Sequence, residues 1–383
     1  MSSPAGTSPA PRFVARSDIA RLVLGWGAVV ALLLAGDLLA PPVPSPTLAI
    51  VLAAIVAVVV IASFGVVRQA EALAHRLGDP YGTLVLTLSI VLIEVILIAA
   101  VMLGPGVHST IARDSVMAVS MIILNLVIGL CLLAGGLRHG GLRYNRTGAS
   151  SYLAVLVVLI ALAFALPAAI GDDGSYTTVQ AIGVTVLTVA LYAFFLYRQT
   201  GAQAGDFREV DAPGSAAQPA EAGASIGEIV REHRRELITR LIVLVLTVIP
   251  IVLISHDLAT LLDDGLGRLG APTALAGVLI AAIVFLPESL TAVRAALAGE
   301  MQRVSNLCHG ALVSTVGLTI PAVLLIGLAT GQTVLLAETP ANLLLLAVTL
   351  VLSVATFTSR RVTALHGAVH LATFAVYGII VFS

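Results

Sequence analysis

The chain has 383 residues, of which 58% are hydrophobic and 11% charged, and its formal net charge is -1. A water-soluble domain carries about 25% charged residues, so lipid must be the solvent for most of this surface. The near-neutral charge excludes a basic nucleic-acid binder.

Residues 1–18 are rich in Pro and Ser and read as a disordered tail. The apolar run after them lacks a small-residue cleavage site, so it reads as a first transmembrane helix rather than a signal peptide. A spanning helix needs about 20 mostly apolar residues. Eleven runs meet that need: 19–40, 47–67, 82–103, 115–137, 151–170, 178–198, 237–256, 272–298, 304–328, 336–357 and 362–382. Ten-residue segments of alternating polarity are missing, which excludes an outer-membrane barrel. Residues 199–235 are polar, with Asp206, Glu209, Asp211 and Glu221, and read as a linker with a short amphipathic helix around Ile226–Glu236. Cys131 and Cys308 each sit in an apolar run; two such thiols make no disulfide framework.

Every basic residue is Arg. With the N-terminus in the cytoplasm, 18 of the 20 arginines fall on the cytoplasmic side, and only Arg113 and Arg268 on the other. The positive-inside rule therefore predicts a multi-pass inner-membrane protein in that orientation. Its expected partners are the bilayer and small inorganic cations, with no nucleic acid.

The expected fold is all-α: one extra N-terminal helix (19–46) and two inverted five-helix repeats (47–198 and 236–383), joined by the cytoplasmic linker 199–235. Inverted repeats place the substrate site at the midplane between the halves. The second helix of each set carries one acid in an apolar run, Glu94 and Glu288. Each following helix carries small polar residues, Ser120 and Asn125 in one, Ser314, Thr315 and Thr319 in the other. At about 1.5 Å per residue, Glu94 lies roughly 18 Å and Glu288 roughly 22 Å into a core about 30 Å thick.

An ionisable group at that depth costs at least ~2.5 kcal/mol, which packing alone does not explain. Two carboxylates neutralise a hard cation such as Ca2+, which prefers oxygen ligands. Once the cation leaves, the low-dielectric site favours protons on both groups. Competition of metal and protons for the same oxygens is an antiport mechanism. Pro287, beside Glu288, removes a helix hydrogen bond and frees a carbonyl, as in the discontinuous helices of transporter ion sites.

These residues resemble the calcium/cation antiporter superfamily, in its cation/proton exchanger branch with ChaA-like bacterial members. Glu71, Gly78 and Gly82 in RLGDPYGTL, then Glu94, match the spacing of the first repeat motif. Asn125, Gly135, Gly136, Tyr144 and Asn145 in NLVIGLCLLAGGLRHGGLRYN resemble the asparagine helix that follows. Glu288, Gly310 and Pro321 in FLPESLTAVRAALAGEMQRVSNLCHGALVSTVGLTIP resemble the second motif. The asparagine of the family's G-N-A-x-E motif is missing: IVLIE and FLPE stand in its place. The resemblance implies Glu94 and Glu288 as the shared ion and proton site. It implies Asn125, Ser314 and Thr315 as neutral oxygen ligands, with Ser89 and Ser289 as weaker ones. Glu71, Asp79 and Glu300 are expected near the cytoplasmic mouth, where solvated loop charge is the plainer reading.

His309 is a candidate proton relay. His366 and His370, four residues apart, share a helix face as a candidate metal pair or an interfacial polar face. The metalloprotease string H-E-x-x-H, a P-loop and a dinucleotide-binding turn are not found, so no enzyme activity and no resident cofactor are expected. The resulting expectation is a secondary antiporter exporting Ca2+, with Na+ or K+ alongside or instead of it, against H+. A sodium-coupled calcium exchanger and an uncoupled channel are the alternatives.

Overall fold

The computed structural model describes residues 14–77, 88, 91–92, 94–96, 98–99, 102, 109–209, 226–272 and 274–383. The first part of the expected tail, linker residues 210–225, Gly78, Asp79, Gly82 and Ser89 lie outside the described residues. Ten helices among the described residues are long and apolar enough to cross a membrane. They are α1 (Arg16–Ala35), α2 (Ser45–Leu77), α3 (Ile111–His139), α4 (Arg146–Ile170) and α5 (Thr178–Thr200). After a short α6 (Ile226–Glu232) come α7 (Arg234–Arg268), α8 (Ala274–Ala298), α9 (Met301–Thr330), α10 (Pro340–Thr358) and α11 (Ala364–Val381). In the expected run at 82–103, the described residues, Glu94 among them, are helical. Three isolated β-bridges join loops.

α2 and α7 exceed their hydropathy-predicted runs by the most. α2 has 33 residues and α7 has 35, because a helix satisfies its own backbone in water as well as in lipid. Their polar extensions meet. Glu236 is buried at the start of α7 and pairs with Arg76 of α2 at 3.0 Å and with Arg240 at 2.9 Å. The expected amphipathic helix around Ile226–Glu236 is divided instead: α6 stops at Glu232, and a bend at His233 precedes α7. Contrary to the reading that no dinucleotide-binding turn occurs, the string Gly265-Leu266-Gly267-Arg268-Leu269-Gly270 does have its glycine spacing. It runs through the end of α7 with no strand before it, so that chemistry lacks its strand–turn–helix context.

α1 is fastened to α7 by a defect in α7. Pro250 has no N–H, so the carbonyl four residues back, on Leu246, loses its helix donor. The Trp26 indole of α1 donates to that carbonyl at 3.1 Å, and Gly25 lets the Pro250 ring approach. Trp26→Phe keeps the ring and removes the donor. The expected cost is about 1 kcal/mol, seen as a lower melting temperature in detergent; an unchanged melt would mean α1 is held by apolar contact alone.

α3 and α9 are the most enclosed spans, 83% and 72% buried over their apolar windows, against 17% for α1 and α11. α3 packs on α8 and α11, and α9 on α4 and α5. α3 and α11 touch backbone to backbone: a Cβ on Gly136 would meet the Ala364 backbone, and one on Gly367 would meet Leu133 N. Small residues at such crossings are what let membrane helices approach this closely. A π-helical stretch, Ile122–Val127, interrupts α3 at mid-span and carries Asn125; such bulges concentrate at functional sites.

On the other face of the molecule, between α9 and α10, Glu338 is 5% exposed. It accepts from Asn342 Nδ2 at 2.8 Å and lies 3.9 Å from Arg113. Burial pushes Glu338 above the ordinary carboxylate range, and the Asn342 and Arg113 contacts offset this only in part. The folded state thus holds this proton more tightly than the unfolded chain. The stability it contributes is full below the ordinary carboxylate range and is lost as pH rises through the shifted value. Glu338→Gln should remove that loss, since Arg113 keeps Asp114 and the Ala337 carbonyl as partners. The variant's melting temperature should exceed wild type by a margin that grows from about pH 4 to neutrality; a margin that does not change with pH would contradict this.

Candidate functional site

The site lies where α8 and the Glu94 stretch meet the centre of α9. Glu94 is 4% exposed and Glu288 6% exposed. Thr315 of α9 donates its hydroxyl to Glu94 Oε2 at 2.6 Å. Glu94 Oε1 and both carboxyl oxygens of Glu288 have no hydrogen-bond partner among the described residues. Buried polar atoms are nearly always hydrogen-bonded, and an exception asks for an explanation such as an ion. Three buried carboxyl oxygens without a partner among the described residues can accept a cation or protons. One turn further along α9, the buried Thr319 hydroxyl also has no partner among the described residues.

The helix around Glu288 differs from the expected broken form: α8 continues through Pro287 without interruption. The proline still removes one backbone donor, which leaves the carbonyl of Ile283 without its helix partner. Ser289 is turned away, its hydroxyl donating back to the Phe285 carbonyl at 2.7 Å.

The remaining expected ligands separate. Ser314 accepts a hydrogen bond from Tyr192 of α5 at 2.9 Å, so it faces α5 while its neighbour Thr315 faces Glu94. Consecutive helical residues project about 100° apart, and that rotation divides the pair. Asn125 faces α10 and α11. Its amide donates to Thr349 at 2.9 Å, and its carbonyl oxygen lies 3.3 Å from His370 Nδ1. His370 in turn contacts the Thr356 hydroxyl at 3.1 Å. His370 is fully buried, so the interfacial face expected for it is replaced by a buried polar chain. His366 instead caps its own helix against Thr363, and no group of three or more metal-ligating side chains occurs among the described residues. The sequence reading missed the α10 half of this chain. Thr349, Ser353 and Thr356 recur at helical spacing, are all buried, and form the signal that would have found it.

His309 lies eight residues past Met301, within α9. Its ring is fully buried, 3.0 Å from Ser305 and edge-on to Phe357 at 4.7 Å. Nearby, the first linker residues fold back on the helix ends. Phe207 inserts beside Tyr152 and Phe195, and the Glu209 carboxylate accepts from the backbone N–H groups of Gln302 and Arg303 at 3.2 and 2.9 Å. An acid on the first turn of α9 satisfies donors that have no helix partner and complements the helix dipole.

A cavity of about 550 Å³ opens on the arginine-rich face between α1, α2, α8 and α9. Thr291 lines it, three residues past Glu288 and hence about one turn below it on α8. Glu71 and Glu300 both line it. Each is shared with Arg303, Glu300 at 3.0 Å and Glu71 at 3.9 Å.

Residues 47–201 and 239–383 each match the family described as "Sodium/calcium exchanger protein". The y4hA protein of Sinorhizobium fredii is 38% identical over 319 residues, covering 82% of this chain and 84% of that protein. The sodium-potassium/proton antiporter ChaA of Escherichia coli is 33% identical over 325 residues, covering 84% and 86%. The crystal structure of the Ca2+/H+ antiporter protein YfkE has the same fold, with a TM-score of 0.67 at 17% identity over 96% of this chain and 98% of that one.

Proposed function

This chain belongs to the sodium/calcium exchanger protein family, and from that membership we propose that it exchanges a metal cation for protons at Glu94 and Glu288. As a member of that family it is a multi-pass membrane transporter and not an enzyme. The observation that carries the proposal is the pair of buried carboxylates, one from each family-matched segment, with three oxygens unpartnered among the described residues. A divalent cation held between them cancels their charge, a monovalent one does so together with one retained proton, and two protons do the same when the cation leaves. Either occupant leaves the site close to neutral, and a low-dielectric centre tolerates little else. Simultaneous exposure of the site to both faces would leak, so exchange requires alternating access, with the halves carrying Glu94 and Glu288 moving against each other.

Ca2+ is the cargo that two carboxylates serve best, because it takes six or more oxygen ligands with strong preference for charged ones. A monovalent cargo is a second reading supported by two observations. The ChaA relative is a sodium-potassium/proton antiporter. The neutral ligands are also few, since Ser314 and Asn125 are engaged elsewhere.

The test is proton flux in everted membrane vesicles containing the protein, with a pH-sensitive dye and a preformed gradient. Addition of Ca2+, Na+ or K+ separately should dissipate the gradient for the true cargo. Cation flux that requires Na+ and ignores the proton gradient would replace this reading with sodium-coupled exchange. Unitary currents in a planar bilayer would replace it with a channel.

A further inference from the structure

The cavity below Glu288 has the wrong charge for a simple cation mouth. Arg21 of α1, Arg68 of α2, Arg294 of α8 and Arg303 of α9 line it, against Glu71 and Glu300. The acids are committed to Arg303. Behind the wall the buried Asp18 serves both Arg21 and Arg68, each at 3.4 Å. Among the described residues four positive charges therefore meet three negative ones, and Arg294 has no ion pair. An entering cation meets a net positive wall one turn from its site, and a wall of that sign lowers the local cation concentration.

We propose that this cavity binds a phosphate group, with Arg294 as its anchor, and that the bound anion makes the mouth passable to the cation. Guanidinium groups bind phosphate oxygens in paired hydrogen bonds, which favours phosphate over chloride. A volume of about 550 Å³ lies within the range of small-ligand pockets. The phosphate has two physical sources. Inorganic phosphate reaches the cavity from the aqueous phase. A phospholipid headgroup reaches it from the side, past α1, which walls the cavity with Arg21 and carries exposed Ile19 and Val23 on its opposite face. The consequence for transport rests on the antiport reading; the binding does not.

The test uses the full chain in two arms. In neutral detergent, inorganic phosphate is titrated against chloride at matched ionic strength, and the melting temperature is read. In proteoliposomes, the KM for the cation is compared between phosphatidylcholine alone, the same vesicles with inorganic phosphate, and vesicles of phosphatidylcholine with phosphatidylglycerol. The bound anion should lower KM about fivefold, the worth of one arginine–phosphate contact at a membrane surface. Arg294→Gln should lose that response and Arg294→Lys should keep part of it. Arg294 has no described ion-pair partner to strand, so the variant is expected to fold; Arg361→Gln, on the same face outside the cavity, is the control. A response to inorganic phosphate in both arms assigns the aqueous source. A KM response only with phosphatidylglycerol assigns the headgroup. No response to either anion, or a full response retained in Arg294→Gln, overturns the proposal. Phosphate stabilisation in a protein that exchanges nothing would leave this site standing and remove the antiport reading instead.

Discussion

Glu94→Gln and Glu288→Gln are each expected to lower cation/proton exchange at least 100-fold while the protein still inserts, purifies as a single species and melts no lower than wild type. Glutamine preserves the shape and volume of glutamate and removes only its charge. A pair of unit charges about 4 Å apart is worth about 4 kcal/mol at an effective dielectric near 20, and each 1.4 kcal/mol is a factor of ten in binding. Losing one carboxylate therefore removes the affinity on which loading depends, and the remaining acid cannot neutralise a divalent ion. The stability readout separates this from misfolding. A buried carboxylate raises the cost of insertion by about 2.5 kcal/mol or more, so the amide should relieve cost, although in Glu94 the Thr315 hydrogen bond persists to a weaker acceptor. The double variant should be no worse than either single one, because two groups acting as one site are not additive. Exchange at wild-type rates in either variant, in vesicles shown to contain the protein, would remove the two-carboxylate site.

How much of this was legible follows from what hydropathy and spacing measure. The apolar runs marked the spans because lipid demands them, and a lone acid in such a run is conspicuous whatever its neighbours; Glu94 and Glu288 needed no partner to be found. The ends of α2 and α7 were missed because hydropathy falls at the first charged residue, Arg68 in α2 and Asp257 in α7, while the helical hydrogen bonding continues, and the Arg76–Glu236–Arg240 cluster that secures the meeting ends joins positions far apart in the chain. The neutral ligands were harder. Ser314 and Thr315 are adjacent and chemically alike, and only the packing of α9 between α5 and the Glu94 stretch decides which hydroxyl meets the carboxylate. Asn125 looked like a ligand by its place in a motif. Its partners, Thr349 and His370, lie more than 220 residues away, a distance across which a single sequence carries no pairing information. The arginines of the mouth were counted correctly as belonging to one face, but counting by loop could not show that four of them converge on one cavity.

Thr315 is the second large effect, and it separates positioning from charge. Its hydroxyl donates to Glu94 Oε2 at 2.6 Å in a fully buried setting, and a hydrogen bond to an ionised group is worth about 1.5–3 kcal/mol. Thr315→Val keeps the branched shape and deletes the donor. The ionised form of Glu94 then loses a stabilising contact, and the protonated form loses less. Protons should compete better against the cation, so exchange should fall by roughly 10- to 100-fold near neutrality, as those energies convert, and recover in part as pH rises. The pH midpoint of cation-driven proton release should move alkaline in the same experiment. Thr315→Ser restores the hydroxyl and should restore both the rate and the midpoint, a rescue that packing alone does not produce. Ser314→Ala supplies the contrast: its oxygen accepts from Tyr192 rather than serving a carboxylate, so its loss should alter stability and leave the pH midpoint in place. Should Thr315→Val depress the rate equally at every pH, Thr315 would be holding α9 in place rather than tuning the carboxylate, and the balance between metal and proton would have to be set by Glu288 and by the backbone carbonyl freed at Pro287.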